Sequence, residues 1–228
     1  MDNYLESLNE SQREAVEITS GSTLVLAGAG SGKTRVLTYK LLHLLIRKIL
    51  TPNQILAVTF TNKAAFEMKT RVKDLINRPV EGMFIGTFHS IGAKIIRNHS
   101  ELLGLKSSFT ILDKDDQLSL IKQIIKAENL DQAIYVPKFI QNKIDQWKNK
   151  ALNPQDIKTD SLNSMTDDKS HKIYQIYQKR LFEINCLDFG DLLLYNLEIF
   201  TKHPDILDKY HSKLSHFLVD EYQDTNTI

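Results

Sequence analysis

The chain contains few of the residues that brace small proteins: one cysteine, one tryptophan and five prolines among 228 residues. The single cysteine, Cys186, excludes an intrachain disulfide, and its apolar neighbours predict plain burial. No apolar run approaches the length of a membrane span, because His43, Arg47 and Lys48 interrupt the most hydrophobic stretch. The first ten residues, MDNYLESLNE, are too acidic and polar for a signal peptide. These absences predict a cytoplasmic protein without membrane contact.

An excess of charge of one sign is also lacking, since 29 basic and 28 acidic side chains leave a formal net charge of +1. The distribution of charge is uneven. Residues 28–106 hold 13 basic against 4 acidic side chains, a local +9, so the remainder holds 16 against 24, or −8. Such an asymmetry is typical of a face that meets polyanions, and chance clustering on a solvated surface explains it equally well.

Short apolar segments alternate with segments of helical periodicity along much of the chain. Strands are predicted at residues 22–26, 55–60, 83–88 and 217–219, and helices at 34–49, 62–76 and 89–103. This alternation favours an α/β fold in which helices cover both faces of a parallel sheet. The middle of the chain shows mainly helical periodicity. We therefore predict a sheet domain at 1–108, a helical insertion at 109–184, and a return to the sheet domain at 185–228.

A glycine-rich segment, AGAGSGKT, joins the first predicted strand to the first long helix. Such a loop lets backbone N–H groups surround a polyphosphate, and the helix N-terminus adds partial positive charge. Lys33 would reach the β- and γ-phosphates, and the Thr34 hydroxyl would ligate Mg²⁺. The strict pattern has glycine where Ala27 stands. The segment predicts ATP binding by Ala27, Gly28, Ala29, Gly30, Ser31, Gly32, Lys33 and Thr34.

Two adjacent acids follow the last predicted strand. In a nucleotide-binding protein of this kind, Asp220 would hold Mg²⁺ and Glu221 would accept a proton from the attacking water. Taken alone, such a pair is usually a solvated turn. Together with the phosphate loop, the pair favours a hydrolase over a kinase that phosphorylates a metabolite.

Several further motifs occur in a fixed order with these two. They are LNESQ at 8–12, AVTFTNKAAFEM at 57–68, GTFHS at 86–90, LDFGDLL at 187–193 and VDEYQDTN at 219–226. The set resembles the N-terminal half of superfamily 1 DNA helicases of the UvrD/Rep/PcrA type, over essentially the whole chain. The resemblance implies a P-loop NTPase sheet of the RecA-like kind, called domain 1A, with a helical insertion subdomain called 1B.

The resemblance also implies roles for individual residues. Gln12 would read the adenine edge, Arg35 would lie near the base and ribose, and Gln223 would sense the γ-phosphate beside the catalytic Lys33 and Glu221. A segment along single-stranded DNA would comprise Phe60, Thr61, Asn62, Lys63, Thr87, Phe88 and His89. Without the resemblance, Phe60 reads as a packed strand aromatic and His89 as a structural histidine.

Four lysines surround the only tryptophan, Trp147: Lys138, Lys143, Lys148 and Lys150. They would form either a patch facing duplex DNA or a solvated helix face around a core tryptophan. The pattern supports both interpretations equally.

The resemblance implies a parent helicase of the kind used in DNA repair, which hydrolyses ATP, travels 3′ to 5′ on single-stranded DNA and opens single-strand/duplex junctions. A second motor region, 2A/2B, would supply an aromatic platform for adenine and arginines for the transferring phosphoryl group. We therefore expect weak nucleotide binding and negligible ATPase from this chain alone. Three alternatives remain: another P-loop NTPase, such as a kinase or transport ATPase; a non-catalytic remnant that binds ATP or DNA; and the motor of a helicase–nuclease. Oligomeric state is not indicated.

Overall fold

The computed structural model describes residues 2–28, 30–76, 82–157 and 165–228. The helices and strands in chain order are α1 (Glu10–Glu17), α2 (Lys33–Ile46), β1 (Ile55–Thr59), α3 (Asn62–Ile76), β2 (Phe84–Thr87), α4 (Phe88–Asn98), β3 (Thr110–Leu112), α5 (Lys114–Ala127), α6 (Pro137–Asn149), α7 (Met165–Glu183), β4 (Cys186–Asp188), α8 (Phe189–Lys202), α9 (Pro204–Lys213) and β5 (His216–Val219). Within these ranges, no helix is long and apolar enough to cross a membrane.

The chain divides into two compact units. The first unit comprises residues 1–91 and 207–225, and the second comprises residues 92–206 and 226–228. The second unit is wider than the predicted insertion at 109–184, because α8 packs against α6 and β4. It also contains a pairing that the periodicity did not indicate: β3 and β4 are parallel neighbours, with Ile111 opposite Leu187.

The first unit contains a parallel sheet with strand order β2-β1-β5 among the described residues. Leu56 of β1 lies opposite both Phe84 and Phe217. The central strand β1 is almost entirely buried, as expected for a strand of a parallel sheet. Helices α2 and α3 contribute Leu41, Leu44, Met68 and Val72 to the core that packs on the sheet. The mixed α/β fold with a parallel sheet is thus confirmed.

The predicted strand at residues 22–26 is not formed. These residues have no regular secondary structure, and Leu24, Val25 and Leu26 are 69%, 42% and 85% exposed. A strand needs a neighbour for its backbone N–H and C=O groups, and none of the described strands pairs with this segment. The apolar composition was therefore insufficient to predict the strand's formation and burial within this chain.

The core of the second unit is helical and aromatic. Trp147 stacks on Tyr174 with ring centroids 5.7 Å apart, and the core continues through α5 with residues such as Ile121 and Ile124. Cys186 is buried and has no disulfide partner, as predicted. Trp147 is only 9% exposed, so the interpretation as a core tryptophan is confirmed.

A cluster of buried charges joins α6 to the start of α8. Lys148 is completely buried and donates to Asp188 at 2.7 Å and to Asp191 at 2.6 Å. Asp188 begins α8 with a capping box, in which its side chain accepts from the Asp191 backbone N–H. The Tyr177 hydroxyl also donates to Asp188, at 2.8 Å. Lys148 therefore cannot belong to the predicted surface patch, because its side chain is buried and its charge is neutralised by two buried carboxylates.

Candidate nucleotide and DNA site

The candidate site of the first unit lies where its parallel strands end. Phe60 follows β1 after Thr59, Phe88 follows β2 directly, and Asp220 follows β5 directly. Carboxyl ends of parallel strands meet at one edge of a sheet, and this edge is where open α/β sheets bind ligands. The backbone N–H of Asp220 donates to the Val58 carbonyl at 2.9 Å, which extends the pairing of β5 with β1 to the first acid.

The phosphate loop precedes α2 and has the backbone that its glycines permit. Gly30 and Gly32 have φ values of 77° and 92°, a region that glycine adopts without steric cost. A Cβ added at Gly28 or Gly30 would meet nothing within 4 Å, so space remains beside the loop. The predicted contact Ala29 lies outside the described residues. The described part of the loop therefore has open space beside Gly28 and Gly30, and a backbone at Gly30 and Gly32 that glycine adopts freely.

Polar groups of the loop are bonded to the loop itself. The Lys33 ammonium donates to the carbonyls of Ala27 at 3.1 Å and Gly28 at 3.4 Å. The Ser31 hydroxyl donates to the same Gly28 carbonyl at 2.7 Å. Thr34 is half-buried in the first turn of α2. A phosphate group would have to draw Lys33 away from these carbonyls, and its negative charge makes it the stronger partner.

Gln12 contacts the phosphate loop, which the sequence pattern alone did not predict. It forms a capping box with Asn9 at the start of α1, and its Nε2 donates to the Ser31 carbonyl at 2.9 Å. A Cβ at Gly32 would lie 2.8 Å from that nitrogen. The Asn9-x-x-Gln12 spacing is a capping signal that predicts Gln12 in the first turn of α1, but it does not predict the contact with the loop. Arg35 donates to the Ser7 carbonyl at 2.9 Å, next to this corner of the loop.

Asp220 is a buried carboxylate, with only 6% of its residue surface exposed. One of its oxygens accepts from the backbone N–H of Glu221 at 3.1 Å. Burial raises the pKa of Asp220, and the charge of Glu221 raises it further, whereas that N–H and the Lys33 ammonium lower it. Lys33 and Asp220 therefore share one electrostatic environment. This supports their predicted assignment to one site.

The donor set suits Mg²⁺ held mainly by water and phosphate. Across the described ranges, no group of three His, Cys, Asp or Glu side chains is arranged to hold a metal. Mg²⁺ commonly uses one or two protein oxygens and keeps its remaining ligands as water or substrate phosphate. Asp220 and Thr34 supply such oxygens, so the residues present fit the ion.

Glu221 occupies an unusual backbone conformation for its residue type. Its φ of 47° and ψ of 50° lie in the left-handed region, which is uncommon for residues other than glycine and concentrates at functional positions. Gln223 donates its side-chain amide to the Glu221 carboxylate. Gln223 therefore holds the Glu221 carboxylate within this turn.

Phe60 follows the last residue of β1 and is 39% exposed, so its ring is only partly packed. Its ring meets that of Phe88 edge to face, with centroids 5.8 Å apart and planes at 67°. Thr61 accepts the backbone N–H of Ala64 at 3.1 Å and so caps α3. Asn62 and Lys63 are exposed in the first turn of that helix. An aromatic pair beside exposed polar and basic groups is the combination that binds single-stranded nucleic acid.

The second predicted DNA segment is less accessible. Thr87 is buried, and its hydroxyl accepts from the Ser90 N–H at 3.1 Å, while the Ser90 hydroxyl accepts from the Thr87 N–H at 2.9 Å. His89 is half-buried. The structure therefore places Phe88 in contact with Phe60. The polar groups of Thr87 are instead hydrogen-bonded to Ser90 in the turn between β2 and α4.

The glycine-rich loop, the helix that follows it and the acids at the end of a parallel strand define a P-loop NTPase. The family described as "UvrD/REP helicase N-terminal domain" matches residues 8–228, and the chain belongs to that family. It is therefore a helicase N-terminal domain. This assignment decides against a kinase or a transport ATPase.

Relatives with printed names agree with this assignment. The chain is 48% identical over 227 residues to "DNA helicase II" of Rickettsia typhi, covering 98% of this chain and 34% of that protein. It is 44% identical to "DNA helicase II" of Haemophilus influenzae, covering 98% and 31%. Its identity to "ATP-dependent DNA helicase PcrA" of Staphylococcus epidermidis is 40%, covering 99% and 31%. The chain thus spans about a third of the length of these relatives.

Proposed function

We propose that this chain is the part of an ATP-dependent DNA helicase that binds ATP with Mg²⁺ and holds single-stranded DNA. One observation carries the proposal: the phosphate loop, the acids Asp220 and Glu221, and the pair Phe60–Phe88 all belong to one compact unit. In the complete protein, ATP hydrolysis would drive 3′ to 5′ travel and strand separation at single-strand/duplex junctions, in the cytoplasm. Efficient turnover would require a second motor region like that of the longer relatives.

The first unit contains residue types that phosphoryl transfer to water uses, apart from the arginines expected from a second motor region. Backbone N–H groups of residues 28–34 would surround the phosphates, and Lys33 would exchange its loop carbonyls for phosphate oxygens. Mg²⁺ would be held by Thr34 and Asp220, where it would neutralise charge on the phosphates. Glu221, oriented by Gln223, would accept the proton of the attacking water. Gln12 and Arg35 would face the nucleoside.

The same sheet connects the nucleotide groups to the DNA groups. Asp220 is bonded to Val58 of β1, and Phe60 follows two residues later at the same edge. A shift of Asp220 on nucleotide binding would therefore act on the strand that carries Phe60. Phe60, with Phe88 behind it, would release and bind a base again in each cycle, while Thr61, Asn62, Lys63 and His89 contact the backbone.

Nucleotide binding is tested with a fluorescent ATP analogue and the 228-residue chain. Lys33→Ala should weaken binding by about ten- to a hundredfold, because a charge-assisted hydrogen bond to phosphate is lost. Lys122→Ala is the matched control, since this lysine is exposed in the second unit. Equal affinity of the wild type and the Lys33 variant would reject the phosphate-loop assignment.

DNA binding is tested by fluorescence anisotropy of a labelled single-stranded oligonucleotide at low and moderate salt. Phe60→Ala should reduce affinity by at least about fivefold, because one base loses its stacking partner. Phe139→Ala removes a ring that is 53% exposed in the second unit and should leave affinity unchanged. Unchanged binding by the Phe60 variant would remove Phe60 from the DNA site.

A further inference from the structure

Helix α3 presents an exposed face whose composition goes beyond its predicted DNA-binding start. The residues of this face, here called the α3 stripe, are all exposed: Asn62, Lys63, Phe66, Lys69, Thr70 and Lys73. At 3.6 residues per turn they span about 120° of the helix circumference. The buried residues Ala65, Met68 and Val72 lie on a different face. The α3 stripe is thus a separate surface and not the edge of the core.

The charges of α3 are separated between its faces. The α3 stripe holds three lysines and no acidic side chain. The two acids of α3, Glu67 and the exposed Asp74, lie on one flank of the stripe, and Glu67 pairs with Arg71 at 3.6 Å. Within the part of the chain that the structure describes, Lys63, Lys69 and Lys73 form no ion pair, which leaves this face positive.

An aromatic ring lies among these lysines. Phe66 is 71% exposed, one turn beyond Asn62 and Lys63 and one turn before Lys69 and Thr70. A single exposed aromatic is ordinary on a protein surface. A ring that alternates with lysines, on a helix that starts beside the Phe60–Phe88 pair, instead matches the pattern of single-strand binding.

We propose that the α3 stripe is a second stretch of the single-stranded DNA site, in which Phe66 stacks on an unpaired base and Lys69 and Lys73 contact phosphates. This inference rests on the proposed DNA function of Phe60. From Asn62 to Lys73 the helix rises about 16 Å, so the stripe would lengthen the site well past its first turn. Single-stranded DNA is the expected ligand, because a duplex keeps its base faces stacked and would use the lysines alone.

The experiment measures affinity of the 228-residue chain for a labelled single-stranded oligonucleotide across a range of salt concentrations. Phe66→Ala should weaken binding about tenfold at fixed salt and leave the salt dependence unchanged. Lys69→Gln with Lys73→Gln should lower the slope of log K against log salt by about 1.4, since each phosphate contact on a single strand contributes about 0.7. The controls are Phe139→Ala and the exposed pair Lys122→Gln with Lys126→Gln, with helix content compared by circular dichroism.

Each outcome has one meaning. Weaker binding by Phe60→Ala together with unchanged binding by Phe66→Ala would overturn the α3 stripe and leave the proposed function intact. Absence of binding by the wild type would overturn both. A lysine effect that is equal on blunt duplex, with no effect of Phe66→Ala, would make the stripe a general polyanion surface and reject the stacking role. A slope unchanged by the two lysine substitutions would reject the phosphate contacts.

Discussion

In the second unit, Lys148, Asp188 and Asp191 are enclosed and hydrogen-bonded to one another. In the first unit, Lys33 and Glu221 lie nearer the surface, and their hydrogen bonds run to groups of their own loops. A buried charge cannot leave its partner without a large loss of free energy, whereas a partly exposed one can exchange it for a ligand. The comparison indicates that the Lys148 cluster holds the second unit together, whereas Lys33 and Glu221 of the first unit can exchange their partners for a ligand.

The largest loss of folding stability is expected from a substitution in the buried cluster of Lys148, Asp188 and Asp191. Burial alone lowers the pKa of Lys148, but the charges of Asp188 and Asp191 outweigh this and raise it, so Lys148 stays protonated. Lys148→Met would leave two carboxylates buried without a cation and should lower the free energy of unfolding by about 3–5 kcal/mol. Urea unfolding at neutral pH measures this loss.

A matched substitution in the first unit tests this contrast. Lys33→Met removes a charge whose partners are loop carbonyls, so its unfolding free energy should change by about 0.5 kcal/mol or less. Similar losses from Lys33→Met and Lys148→Met would contradict the contrast between these two lysines.

A change of pH is expected to have an intermediate effect on folding stability. Burial and the charge of Asp188 raise the pKa of Asp191, Lys148 and the Asp188 N–H lower it, and the net pKa is about 6. The folded chain therefore holds a proton that the unfolded chain has already lost, so this group's contribution to stability falls as pH rises from about 4 to about 6. Asp188 acts in the opposite direction. Its pKa is lowered in the folded chain, so its contribution to stability is lost only as the pH falls into more acidic solution.

Urea midpoints measured from pH 4 to pH 8 test this assignment. Asp191→Asn should flatten the curve between pH 4 and 6, and the exposed Asp208→Asn controls for the loss of a carboxylate. Parallel curves for the wild type and the Asp191 variant would show that Asp191 does not titrate in this window.

The smallest effect is expected where the predicted strand failed to form. Leu26 is 85% exposed, so Leu26→Ala should change the unfolding free energy by less than about 0.5 kcal/mol. Leu41 is completely buried, and Leu41→Ala should cost about 2–5 kcal/mol. If thermal unfolding shows comparable losses for both variants, residues 22–26 are packed in solution.

Local pattern was enough for much of the fold and for the outline of the site. The predicted helix at 62–76 has the bounds of α3, and the predicted strands at 55–60 and 83–88 each contain the observed strand. Helical periodicity and strand alternation are properties of neighbouring residues, so they can be read without tertiary information. The phosphate loop and the acids after β5 were found in the same way.

Other features depend on residues that are far apart in the chain. Asp220 is bonded beside β1 only because β5 pairs with a strand near the start of the sequence. Gln12 lies on the phosphate loop because α1 packs against α2. No local pattern predicts such pairings.

The order and residue types of the motifs, the α/β class and the helicase family follow from the amino-acid sequence by itself. The tertiary structure was needed to show that Lys148 is internal, that Phe60 is exposed beside Phe88, and that residues 22–26 pair with none of the described strands. Burial and pairing are properties of two or more segments at once. Lys148 can be internal because Asp188 and Asp191, from a distant part of the chain, neutralise it. An apolar run becomes a strand only where a neighbour completes its hydrogen bonds.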